Sequence, residues 1–81
     1  MLENIPENLN KELKELEAKL GIKINARETD EKDIGVSFEP RIKTTYEIIT
    51  EGKTIGQYEN TIIYEKDGET KVTEHGTMNL I

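Results

Sequence analysis

The 81-residue chain contains no cysteine, so neither a disulfide framework nor a zinc–thiolate site supports its small core. That absence points to a reducing, cytoplasmic setting. Catalytic side chains are equally scarce: Ser37 is the sole serine and His75 the sole histidine. Without cysteine, a nucleophile–base–orienter triad would need both of them together. Each falls in a pattern of alternating strand residues and is read as an ordinary face residue. The N-terminus, Met1-Leu2-Glu3-Asn4, lacks a basic segment and an apolar stretch, and no apolar run approaches the roughly 20 residues of a membrane span. Neither a targeting segment nor a membrane partner is expected.

Phosphate-cradling loops are missing too, because the glycines are isolated rather than gathered at a strand-to-helix turn. In the acidic run Asp30-Glu31-Lys32-Asp33, a lysine occupies a position where a calcium loop needs an oxygen ligand. No cofactor, metal ligand or catalytic residue is therefore assigned, and the chain is read as a non-enzyme.

Charge is plentiful. Charged residues make up 35% of the chain, and the formal net charge of −6 disfavours direct contact with nucleic acid or anionic lipid. Any partner selected by charge is basic. The apolar 33% falls in patterned runs, which argues for a folded domain rather than disorder. At this length, one domain spanning residues 1–81 with one core is expected.

Leu9, Leu13, Leu16 and Leu20 stack on one face of a helix predicted from about Pro6 to Leu20. Asn4 with Glu7 resembles a capping box at its start, and Gly21 suits the left-handed position after its end. The period then changes to two. Ile22, Ile24 and Ala26 mark a first strand, Glu28 to Asp33 a charged loop, and Ile34, Val36 and Phe38 a second strand ending at Pro40. A third strand is predicted over Arg41–Thr50, followed by a turn at Glu51-Gly52-Lys53. Asn60–Lys66 and Glu69–Leu80 flank Asp67-Gly68, a type I′ hairpin signal. The fold class is α+β, an N-terminal amphipathic helix packed on a four- to five-stranded antiparallel sheet. Its predicted core comprises Leu9, Leu13, Leu16, Leu20, Ile22, Ile24, Val36, Phe38, Tyr46, Ile48, Ile62, Tyr64, Val72 and Met78.

The candidate binding residues are Glu28, Thr29, Asp30, Glu31 and Asp33. On an extended chain, side chains two apart lie roughly 6.6–6.8 Å from one another on the same side, so Glu28 with Asp30, or Glu31 with Asp33, forms a ladder of negative charge. Such a ladder imitates a phosphate backbone; the plainer reading is a solvated hydrophilic loop.

The run Leu16-Glu17-Ala18-Lys19-Leu20-Gly21-Ile22-Lys23-Ile24, leading into Glu28-Thr29, resembles the phage-encoded uracil-DNA glycosylase inhibitor family. Ile42-Lys43-Thr44-Thr45-Tyr46-Glu47 and Asp67-Gly68-Glu69-Thr70-Lys71-Val72 look similar to stretches of that family as well. Ile34–Phe38 departs from it, reading as strand where the family has a second helix. The resemblance implies an acidic DNA mimic that catalyses nothing. Its Glu28-Thr29 strand would occupy the DNA groove of a basic DNA-binding protein such as uracil-DNA glycosylase. An alternative from the residues alone is a structural or ligand-holding domain whose open sheet face binds a peptide or a small apolar molecule.

Overall fold

The structure, a computed structural model, describes residues 5–81. The leucine spacing produces helix α1, Glu7–Leu20. Pro6 occupies the N-cap position with no side-chain cap, and the expected cap Asn4 lies outside the described residues. Gly21 closes the helix in the left-handed conformation (φ 71°), its N–H reaching the Glu17 carbonyl at 2.8 Å. The Glu17 carboxylate accepts a hydrogen bond from the Ile24 N–H at 2.8 Å, which fixes the exit of the chain from helix to sheet.

Four strands follow: β1 (Asn25–Asp33), β2 (Arg41–Thr50), β3 (Lys53–Tyr64) and β4 (Lys71–Leu80). Each pairs antiparallel with the next, so the sheet is a meander in the order β1-β2-β3-β4. The charged run expected to be a loop is the greater part of β1. An edge strand pairs through its backbone on one side only, so it forms without apolar alternation. Ile34–Phe38, expected to be a strand, is the connection between β1 and β2, where Val36 and Glu39 exchange backbone hydrogen bonds in a tight turn. Among the described residues the sheet has four strands, and β3 begins at Lys53, well before the expected Asn60.

The two later hairpins exchange their expected turn chemistry. Glu51 and Gly52 both take positive φ, 51° and 75°, between the paired residues Thr50 and Lys53, so the two-residue hairpin is here. Asp67-Gly68 instead sits inside a wider loop, Glu65–Thr70, closed by the Glu65 N–H on the Thr70 carbonyl. The Asp67 carboxylate accepts the N–H groups of Glu69 and Thr70 and the Thr70 hydroxyl. The Thr70 bonds foremost hold its pKa below the usual carboxylate range.

Leu9, Leu13, Ile24, Ala26, Tyr46, Ile48 and Tyr58 form the core between helix and sheet. Leu16 and Met78 are half-buried against it, whereas Leu20, Ile22, Val36, Phe38 and Val72 are exposed, contrary to expectation. Tyr58 lies over Gly76: a Cβ there would fall 2.0 Å from the tyrosine oxygen. The opposite sheet face is polar and laced by ion pairs, Arg27 with Glu47 and Lys43 with Glu59.

Candidate functional site

Among the described residues, length alone leaves part of the sheet bare. A 14-residue helix is about 21 Å long, while the 12-residue β3 extends about 40 Å. The Leu9 and Leu13 contacts place α1 over the half of the sheet that carries Ile24, Ile48 and Tyr58. Its N-terminus stops above Asn60, where the Asn8 amide donates to Asn60 Oδ1 at 2.7 Å. Beyond it lies an open concavity of about 410 Å³, floored by half-buried Ile42, Ile62 and Tyr64, with Ile5 and Pro6 on the helix side.

Carboxylates rim this floor because β1 contains a bulge. Glu28 pairs with Tyr46, but the next pair is Asp30 with Thr45, leaving Thr29 as the extra residue; its hydroxyl donates to the Thr45 carbonyl at 3.3 Å. A bulge reverses which faces the following side chains occupy. Glu31 therefore pairs with Thr44 and Asp33 with Ile42, on the same face as Glu28. The expected Glu28–Asp30 ladder is not formed, because Asp30 shares the opposite face with Thr45. Glu31 and Asp33 do share a face. One Asp33 oxygen is already engaged, accepting the Gly35 N–H at 3.0 Å. Of the expected binding residues, Glu28 and Glu31 line the concavity.

A third carboxylate, absent from the sequence-based set, arrives from the far edge. Glu74 on β4 lines the concavity, held by Asn60 Nδ2 at 2.8 Å and by Lys71 Nζ at 3.0 Å. The Asn60 bond, with Lys71 assisting, keeps the Glu74 pKa below the usual carboxylate range against the opposing effect of burial. Asn60 is 2% exposed and joins helix to β4 through a line of polar side chains, Asn8–Asn60–Glu74–Lys71. Asn8 Oδ1 is buried with no partner among the described residues. A signal for Glu74 existed in the sequence, since it alternates with Gly76 and Met78 on the helix-facing side; Asn60 had none, because a buried asparagine looks like a turn residue.

The arrangement is suited to holding a cationic, partly apolar group. Ser37, in the β1–β2 connection, and His75, in the interior of β4, are separated by two intervening strands, so the topology does not bring them together. Among the described residues no helix is long and apolar enough to cross a membrane. No protein-family model, no curated protein and no solved structure matches this chain.

Proposed function

We propose that this chain is an acidic, non-enzymatic protein-binding module whose site is the uncovered half of its sheet, acting in the cytoplasm on a basic partner. The observation that carries the reading is the β1 bulge, which turns Glu28 and Glu31 onto one face, opposite Glu74 across an apolar floor. Fixed carboxylates attract a groove that ordinarily neutralises phosphates, and preordered charges avoid part of the ordering penalty of binding. DNA mimicry against a DNA-processing enzyme such as uracil-DNA glycosylase is the sharpest form of this function. The exposed apolar residues Ile34, Val36 and Phe38 follow Asp33 directly and extend the contact beyond the charges.

The apolar floor of Ile42, Ile62 and Tyr64 favours the second reading, an open sheet face that holds a peptide or a small apolar molecule. Ionic strength separates the two, because a charge-matched complex weakens as salt rises and an apolar one does not. The direct test is a uracil-excision assay with wild-type protein and with the double variant Glu28→Lys, Glu31→Lys, checked for folding by circular dichroism. Inhibition by the wild type that is lost in the variant supports DNA mimicry. Absence of inhibition at micromolar protein removes the glycosylase as partner.

A further inference from the structure

The sheet has two edges, and they are protected very differently. An edge strand offers unpaired N–H and C=O groups to any neighbouring chain, and charges, bulges and prolines are what normally discourage pairing. β1 has the bulge at Thr29 and the charged series Arg27, Glu28, Asp30, Glu31, Lys32 and Asp33. β4 has almost none of this. From Thr73 to Leu80 it runs in unbroken register with β3, its only irregularity lying before that run. Glu74 is the only acidic or basic residue in the run apart from His75, and its carboxylate is turned inward onto Asn60 and Lys71. Every residue of β4 is exposed or half-exposed, so among the described residues no segment covers its outer edge.

The pairing potential of this edge follows from one bond. The Ile81 N–H reaches inward to the Ile55 carbonyl at 2.9 Å. Backbone groups alternate in direction along an antiparallel strand, so the N–H and C=O groups of Glu74, Gly76, Met78 and Leu80 point outward.

We infer that β4 is a self-association edge: two copies of this chain pair β4 to β4, antiparallel about a two-fold axis, into one continuous eight-stranded sheet. The match of β4 to itself selects the second copy as occupant. Two chains of net charge −6 repel over most of their surface, and this repulsion is least along β4, where the one carboxylate between Thr73 and Leu80, Glu74, is compensated by Lys71. A two-fold centred between His75 and Thr77 sets no like charges opposite one another. It is also self-complementary and closed, and the two β1 strands then form the outer edges, where bulge and charge stop further addition. The expected assembly is a dimer and not a fibre.

Sedimentation equilibrium up to several hundred micromolar, with hydrogen exchange on the same samples, tests this. A two-chain mass, with the Gly76 and Met78 amides becoming protected as concentration rises, is the expected result. The double variant His75→Lys, Thr77→Lys alters two exposed side chains, and circular dichroism checks that it is folded. It should raise the dimer dissociation constant about tenfold, because position 75 of each copy faces position 77 of the other and two lysine pairs then stand directly opposite across the axis. A single-chain mass throughout the range overturns the inference, whatever extended peptide the edge accepts. So does a dimer that the two lysines leave unchanged, since it must form through another surface.

Discussion

Asn60 is the residue on which both core and site depend. Its side chain satisfies Asn8 on one side and Glu74 on the other, at 2% exposure. Asn60→Ala should destabilise the fold by about 1–3 kcal/mol, the cost of leaving buried polar groups unpaired, measurable as a lower urea midpoint. The same variant should move the Glu74 titration upward in a carboxylate-resolved NMR experiment, because Asn60 is the main cause of its lowered pKa. Glu51 offers the opposite case. It is the only non-glycine residue with positive φ among the described residues, and a side chain in that conformation is strained. Glu51→Asn, at the first central position of a type I′ turn, is expected to stabilise the protein by about 1 kcal/mol, read from the same urea midpoint. Gly76→Ala should act in reverse, by roughly 1–3 kcal/mol, because the new methyl collides with the Tyr58 ring.

At the scale of elements, the helix was the most legible part of the sequence. Leucines spaced for one face, with glycine at the end, leave little choice of structure, and α1 follows that pattern. Even so, Leu20 projects past the sheet and is 50% exposed, since spacing reveals a face but not how far its partner extends. Leu13→Ala should cost about 2–5 kcal/mol, and Leu16→Ala less, because Leu16 is half-buried where Leu13 is 5% exposed. Paired thermal melts compare them. The strands were legible where one face is covered, as in Tyr46 and Ile48, and illegible where neither is. β1 beyond Ala26 has the uncovered part of the sheet on one side and solvent on the other, so nothing obliges its residues to alternate. Tyr58 escaped notice for a related reason: Gly56, Gln57 and Glu59 surround it and mask the period. The bulge, which decides the composition of the site, leaves no mark in the sequence that Thr29 alone reveals.

The whole molecule is governed by its negative charge, and its stability has limits in acid and in base. Glu74 and Glu47 titrate below the ordinary range when folded, Glu47 chiefly through hydrogen bonds from Thr54 and Arg27. Their contribution is present above the unfolded glutamate value of about 4.3 and is lost as pH falls through the folded values. Tyr58 works the other way, its pKa raised first by burial and then by the charges of Glu12 and Glu74. Its contribution is intact below about pH 10 and is lost as pH rises toward the folded value. A pH series of urea midpoints should therefore fall at both ends, and Tyr58→Phe should reduce the loss at the alkaline end. The same charge distribution defines the proposed binding face, and the bulge supplies an internal control, because Asp30 carries the same charge on the same strand but on the opposite face. The most direct measurement is salt-graded capture of basic DNA-processing enzymes on three immobilised proteins: wild type, Asp30→Lys, and the double variant Glu28→Lys, Glu31→Lys. Wild type and Asp30→Lys should retain the same partner at low salt and release it as ionic strength rises. The double variant should lose it, as expected if each docked charge contributes about 2–5 kcal/mol. Equal retention by all three, or retention that salt does not weaken, would contradict the assignment of the site.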